Sequence, residues 1–556
     1  MSISMLITAT QGLLLCFVSW GFSRLLRRLV IKTDLDNVAG PPSGSFIKGN
    51  FAQLFDVNGW KFHQDLAEQF GRVVGIHGSF GTKQLYVFDP KALHHIIIKV
   101  FRTDQNIFEE TESFIAANRV SFGYGLLGTL GDVHRRQRKM LNPLFSIAHM
   151  RHMVPMFYDV GNKLHNAIQI NVASGPQEIE ILRWMTRAAL EMIGQSGFGY
   201  SFDPLVEGQD VHPFSKAVKE FVPVSFKMAF FREYIFPKVV KIGTARFRRF
   251  VVDLIPLTNV RRLRDIVNVM DATSVEIYTA KKNALAQGDE AVIKQIGRGK
   301  DIMSILMKTN MEAADEDKLP ETEILGQMST FTFAAVDTTS NALSRILHLL
   351  ATHPKAQETL RQELTKARKE HGPEIPYDEL VALPFLDAVC RETLRLYPPV
   401  PTVSRVARQD VVMPLSVPIK GKDGSDIHAI TVPKDTKIVI SIQNANRDPA
   451  LWGPDALEWK PERWMSPLPD VLVDARMPGV YSHLMTFLGG SRACIGFKFS
   501  QLEMKVIMSV LFSQFRFTPS KQEILWEMGG IVTPSLKGQP SKPQLPIIIE
   551  RVEQAV

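Results

Sequence analysis

The sequence predicts a mainly α-helical chain with small sheets, preceded by one transmembrane helix. Three observations carry that reading. No charged side chain occurs between Met1 and Ser23. Apolar residues recur at helical spacing through most of the remaining chain, as in Gln357 to Glu370 and Gly496 to Leu511. Only a few short runs have the β-branched and aromatic character of strands.

The N-terminal run draws its apolar mass from Leu6-Ile7 and Leu13-Leu14-Leu15-Cys16-Phe17-Val18, with Trp20 and Phe22 near its end. About twenty such residues span a bilayer as a helix. A cleaved signal peptide places its basic residues before the apolar run. Here Arg24, Arg27, Arg28 and Lys32 come after it, which orients the following domain toward the cytosol. Gly40-Pro41-Pro42-Ser43-Gly44 cannot continue a helix and reads as a stiff hinge. It divides an anchor with a basic flank, residues 1–39, from one large domain, residues 40–556.

Composition narrows the class. Apolar residues make up 45% of the 556 and charged residues 22%, ordinary globular values that exclude wholesale disorder. The balance of 65 Lys+Arg against 57 Asp+Glu, a net +8, is spread along the chain, so a nucleic-acid partner is not implied. Cys16, Cys390 and Cys494 are too few for a disulfide framework, and too few for a four-Cys or three-Cys-plus-His zinc site if Cys16 lies in the membrane. No glycosylation acceptor of the form Asn-x-Ser/Thr occurs, in keeping with a cytosolic domain.

Val73-Val74-Gly75-Ile76 and Leu85-Tyr86-Val87-Phe88 flank a Gly-rich turn and predict an early hairpin. A second pair of runs, Ile427 to Val432 and Lys437 to Ile442, is separated by Pro433-Lys434-Asp435-Thr436. The polar stretch from Gln287 to Lys300 reads as a surface loop or helix end. Pro320 suits a first helical position, Glu321 and Glu323 favour the N-terminal dipole, and nothing breaks the pattern until Pro354. The middle of that long helix, Thr330-Phe331-Thr332-Phe333-Ala334-Ala335-Val336-Asp337-Thr338-Thr339, is too apolar for a surface helix yet carries a carboxylate and several hydroxyls. Polar groups in such surroundings need partners or a purpose.

The sharpest signal is Phe487-Leu488-Gly489-Gly490-Ser491-Arg492-Ala493-Cys494-Ile495-Gly496, which matches FxxGxRxCxG at Phe487, Gly490, Arg492, Cys494 and Gly496. Chance produces that pattern in roughly one in ten thousand chains of this length. Glycines let the backbone approach a flat macrocycle, and a thiolate at the start of the helix beginning near Ile495 is stabilised by the helix dipole.

With this loop the sequence resembles the cytochrome P450 superfamily, over essentially residues 40 to 540. The resemblance implies a helical prism around haem with a small β-rich lobe. It makes Cys494 the axial ligand of haem b iron and places Arg492 at a propionate. Ala334-Ala335-Val336-Asp337-Thr338-Thr339 resembles the oxygen-activation motif, with Ala335 where the family has Gly; Asp337 and Thr338 are then the catalytic acid–alcohol pair. Gly131-Asp132-Val133-His134-Arg135-Arg136-Gln137-Arg138-Lys139 resembles the WxxxR helix, His134 standing at the Trp position, so that His134 and Arg138 join Arg405 as propionate contacts. Glu392-Thr393-Leu394-Arg395 resembles ExxR, although Glu180 to Arg183 and Glu358 to Arg361 also fit the spacing. The adjoining Leu396-Tyr397-Pro398-Pro399 selects Glu392. Pro461-Glu462-Arg463-Trp464 then supplies Arg463 to a buried triad.

The implied activity is O2-dependent oxidation of an unactivated C–H bond, with electrons from NADPH through a cytochrome P450 reductase and with cytochrome b5 as a further donor. Arg135, Arg136, Lys139, Lys498 and Lys505 are the expected docking face for such an acidic partner. Family position lines the pocket with Ile107 to Phe122, Met328 to Val336, Pro399 to Val403 and Gly529 to Thr533, apolar stretches suited to a lipophilic substrate such as a terpenoid, fatty acid or polyketide, with a terpenoid-like secondary metabolite as the leading expectation. The resemblance also implies a single-pass protein of the endoplasmic reticulum membrane. Two rivals stand beside this reading. A peroxide-rearranging isomerase or dehydratase has little use for Asp337-Thr338, and a haem sensor or electron carrier has none for the apolar Phe331-Thr332-Phe333 and Ile531-Val532-Thr533.

Overall fold

The computed structural model describes residues 32–98, 107–208, 212–288, 291, 296–297, 299–481 and 483–552, together with 12, 15 and 19. All but residues 12, 15 and 19 of the predicted membrane run therefore lie outside the described residues, as does much of the polar stretch after Gln287. Among the described residues no helix is long and apolar enough to cross a membrane.

Helices dominate, and the described strands form four sheets. The largest has five strands in the order Val73–His77, Lys83–Val87, Lys437–Ser441, Thr402–Ala407, Phe108–Glu109. Its first two strands are the predicted hairpin, antiparallel with Val73 opposite Val87. The second predicted pair of runs parts company. Asp426–Val432 pairs antiparallel with Val411–Lys420, whereas Lys437–Ser441 runs parallel to Lys83–Val87 and antiparallel to Thr402–Ala407. Residues after Thr33 already pack on this lobe: the Asp34 carboxylate accepts from the Thr431 N–H, and Gly75 N–H donates to the Ala39 carbonyl.

The predicted long helix is Glu321–Thr352, 32 residues and about 48 Å. Pro320 stands just outside it as the N-cap, in an extended conformation, because its fixed φ suits either place and its ψ of 156° turns the chain into the helix. Pro354 begins the next helix, Pro354–His371. The long helix is buried along most of its length against Ile181–Met192, Pro213–Lys227, Thr258–Gln287, Pro384–Leu396 and Phe497–Phe512. Its polar side chains survive there by returning to their own helix: Thr332, Thr338 and Asn341 donate to the carbonyls of Met328, Ala334 and Asp337.

Candidate active site

The loop carrying Cys494 is shaped by backbone that few side chains tolerate. Gly490 has φ +65°, and a Cβ there would lie 2.3 Å from the Ile97 carbonyl oxygen. At Gly489 a Cβ would lie 1.8 Å from the Pro478 carbonyl oxygen, so both positions require glycine. The loop closes when Cys494 N–H donates to the Phe487 carbonyl at 2.9 Å. Gly496 caps the helix Phe497–Phe512 next to it, and the Phe487 ring lies 6.1 Å from that of Phe497.

Cys494 is accessible, yet protein atoms surround it closely enough for burial to push its thiol upward. An accessible group in such surroundings faces an internal space rather than the outer surface. The Gly496 N–H and the Arg138 guanidinium oppose the upward shift and favour the thiolate. Cys390 differs: it is fully buried, and burial lifts its thiol to about 12.

Four of the expected contacts gather around this loop. Arg138 donates to the Ala493 carbonyl at 2.9 Å. His134, one turn earlier on Gly131–Leu141, is buried and held neutral, its imidazole drawn down to about 3 by burial and by the charges of Arg492 and Arg138. Arg492 donates to the carbonyls of Leu126 and Thr129. Arg405, on the strand Thr402–Ala407, is buried and donates to the Ser404 carbonyl. A residue that the sequence motifs do not mark joins the last two: the Glu110 carboxylate lies 3.3 Å from Arg405 and 3.1 Å from Arg492.

Asp337 and Thr338 stand apart, and among the described residues no hydrogen bond or ion pair joins them to the Cys494 loop. Thr338 donates to Ala334 at 2.6 Å, leaving its oxygen free to accept. Ala334 is exposed in the middle of an otherwise buried helix, and Ala335, the departure from the family motif, is half-buried with the helix unbroken around it. Asp337 is buried, and burial lifts its carboxyl to about 7 against the pull of Lys219. It opens on a cavity lined by Lys219, Val222, Phe226, Asn341 and Ile531. Of the expected pocket ranges, only Gly529 to Thr533 contributes to this cavity; the helix Pro213–Lys227 forms much of the rest.

Behind the loop, Arg395 makes two contacts of 2.8 Å with Glu392, both side chains inaccessible. Arg463 reaches Glu392 at 3.5 Å but binds Asp455 more closely, at 2.8 Å. Trp464 Nε1 and the Lys460 N–H complete the Glu392 carboxylate. The alternative pairs fare differently: Glu358 is half-exposed beside Arg361, and Arg183 pairs with Glu207 at the surface. Of the expected docking residues, Arg135 and Lys139 are exposed, Arg136 is partly buried against Glu323, and Lys498 lies over the Phe497 ring. Lys505 is not a surface residue. It is buried and bound to Asp387 and the Val381 carbonyl, because its helix is enclosed on nearly every side.

The mainly helical fold holds an accessible Cys in a Gly-shaped loop among arginines, an arrangement suited to an enzyme that binds an anionic, metal-containing group. The cytochrome P450 family model matches residues 39–541. The chain is 53% identical over 540 residues to cytochrome P450 monooxygenase 91 of Postia placenta, covering 97% of this chain and 98% of that one. It is 50% identical to cytochrome P450 monooxygenase 212 of the same fungus, over 95% and 96% of the two chains. With the ganoderic acid synthetase of Ganoderma lucidum it shares 44% identity over 94% of this chain and 95% of that one. The chain belongs to the cytochrome P450 family and is a monooxygenase.

That family implies haem, O2 and electrons from a redox partner, and the residues present fit the group. Three guanidiniums, Arg138, Arg405 and Arg492, gather here with the Glu110 carboxylate between the last two, a positive surrounding that suits the anionic propionates of haem. The accessible thiol supplies a soft ligand for iron.

Proposed function

We propose that this monooxygenase inserts one oxygen atom from O2 into a lipophilic small molecule, a terpenoid-like secondary metabolite, using electrons passed from NADPH by a reductase. The observation that carries the reading is the accessible Cys494 thiol in its Gly-shaped loop beside the Arg138 guanidinium. Cys494 would hold the iron of haem b, His134, Arg138, Arg405 and Arg492 would bind its propionates, and Phe487, Gly490 and Gly496 would help form its binding site. When bound, the haem supplies O2 activation and oxidation of an unactivated C–H bond. Asp337 exchanges protons with the cavity on the Lys219 side, and Thr338 Oγ1 orients the hydrogen-bonded groups that receive them.

Two features support a lipophilic substrate. The cavity beside Asp337 has apolar walls from Val222, Pro223, Phe226 and Ile531. A relative that is 44% identical bears the name ganoderic acid synthetase, which points to terpenoid modification. Arg135 and Lys139, exposed on the helix that carries His134 and Arg138, offer a positive face to the reductase and to cytochrome b5. The uncharged Met1 to Ser23 run anchors the chain in the endoplasmic reticulum membrane with the domain in the cytosol.

The test is to co-express the chain with a reductase, feed the microsomes a terpenoid-rich fungal extract, and look by mass spectrometry for products heavier by one oxygen. Products dependent on NADPH and on Cys494 support the reading. Turnover without NADPH would favour the peroxide-rearranging rival. Protease added to the intact microsomes should digest the domain; full protection would contradict the topology.

A further inference from the structure

Glu110 has no role in the proposed chemistry, and its position is difficult to explain as ordinary packing. It is 5% exposed and lies between two guanidiniums from elements far apart in the chain. One oxygen faces Arg405 Nη2 at 3.3 Å and the other faces Arg492 Nε at 3.1 Å. Arg405 lies on a strand of the large sheet, and Arg492 lies two residues before Cys494.

The bland role for such a residue is to fasten its own strand to the sheet, and that role is already filled. Phe108–Glu109 pairs with Thr402–Ala407, Phe108 opposite Ala407 and Glu109 opposite Val406. Arg408 N–H donates to the Ile107 carbonyl, and the Arg408 side chain binds Glu109 at 2.8 Å. The strand ends at Glu109, and the two adjacent carboxylates reach different partners, Glu109 at Arg408 and Glu110 at Arg405 and Arg492. Glu109 takes the strand-fastening pair at Arg408, and Glu110 is left facing the arginines beside the Cys494 loop.

Without a carboxylate between them, Arg405 and Arg492 would set like charges side by side. With Glu110 in place their donors are only partly used. A guanidinium carries five N–H groups. Arg492 donates to the Leu126 and Thr129 carbonyls through its two terminal nitrogens, each of which keeps a second N–H, while its Nε faces Glu110 as an ion pair. Arg405 donates one terminal N–H to the Ser404 carbonyl and faces Glu110 with its other terminal nitrogen as an ion pair, so more of its donors remain. The carboxylate thus fixes both guanidiniums without exhausting them.

We propose that Glu110 is a haem-positioning residue, holding Arg405 and Arg492 in one fixed arrangement so that their remaining N–H groups receive the propionates. This rests on the haem-thiolate reading of the Cys494 site. Glu110 acts through the two arginines and not on iron or substrate, so its loss should loosen the haem and alter the charge felt at its edge.

The test compares wild type, Glu110→Gln, Glu110→Asp and Glu109→Gln as purified holoproteins. Haem release is followed as transfer to an excess of apomyoglobin, and the ferric/ferrous potential is measured in parallel. Glu110→Gln keeps shape and removes charge; it should release haem about tenfold faster, because both guanidiniums lose their charged partner. Its potential should rise, because a negative charge beside the haem is gone. Glu110→Asp keeps the charge but shortens the reach, so release should quicken at an unchanged potential; it also serves if the Gln variant does not accumulate. The Glu109 carboxylate is bound at Arg408 rather than at Arg405 or Arg492, so Glu109→Gln should release haem at the wild-type rate. Wild-type release and potential in both Glu110 variants would overturn the proposal, as would equal acceleration in Glu109→Gln, which would reduce Glu110 to strand fastening. A wild-type protein that takes up no thiolate-ligated haem would instead refute the reading beneath it, before any variant is compared.

Discussion

The Arg395 guanidinium donates to the main-chain carbonyl of Asn446 at 3.2 Å, and the side chain of that asparagine grips the segment leading to Cys494. Asn446 Oδ1 accepts from the Met485 N–H at 2.7 Å, and its Nδ2 donates to Thr486 Oγ1 at 2.8 Å. Thr486 in turn donates to the Leu394 carbonyl, next to Arg395. The charge cluster and the Cys loop are therefore one hydrogen-bonded unit. Asn446→Ala leaves the buried Met485 N–H without an acceptor and should cost about 1–3 kcal/mol. Urea unfolding gives the stability, and the fraction of haem in thiolate form should fall with it. A loop that keeps full thiolate ligation would show that its register is set elsewhere.

The tetrapeptide Glu-Thr-Leu-Arg occurs twice, and the two copies should respond differently. Glu392→Gln strands the inaccessible Arg395 and should cost roughly 3–5 kcal/mol. Glu358→Gln removes a half-exposed partner of Arg361 at 3.3 Å and should cost under about 1 kcal/mol. Denaturation midpoints of the two variants check this, and equal costs would contradict it.

Burial lifts the Asp337 carboxyl from 3.8 to about 7. The folded protein holds this proton more tightly than the unfolded chain. The resulting stability is present below the unfolded value and is lost as pH rises through the folded one. Asp337→Asn has no such loss, so its stability relative to wild type should grow between about pH 4 and 7 and then level off, by roughly 2–4 kcal/mol in all. Thermal unfolding across that range reads the difference, and a constant gap would contradict it.

Thr338 donates only to its own helix, so Thr338→Ala should change stability by under about 1 kcal/mol. Its oxygen remains an acceptor beside the exposed Ala334, and losing it should divert electrons from product to hydrogen peroxide. Product formed per NADPH consumed is the measurement. Unchanged coupling would remove Thr338 from proton handling.

Some of this was legible in the chain itself. Gly490, Arg492, Cys494 and Gly496 sit within seven consecutive residues, so local spacing reveals them. The helix Glu321–Thr352 is bounded by Pro320 and Pro354, which act through their own backbone. What escaped depends on partners distant in sequence. Lys437–Ser441 has the character of a strand, but character does not name the neighbour, and it joined Lys83–Val87 rather than the run just before it. Lys505 has the look of a surface residue, yet the helices around Phe497–Phe512 enclose it. Glu110, Asn446 and Lys219 carry no local signal at all; each gains its place only when the fold brings its partner close.

The central claim is that Cys494 holds haem iron as a thiolate. The direct measurement is the absorption spectrum of the reduced protein under carbon monoxide, for wild type and for Cys494→His. Wild type should show the strongly red-shifted Soret band of thiolate ligation, and the variant should lose it. A wild-type band typical of histidine ligation would contradict the account.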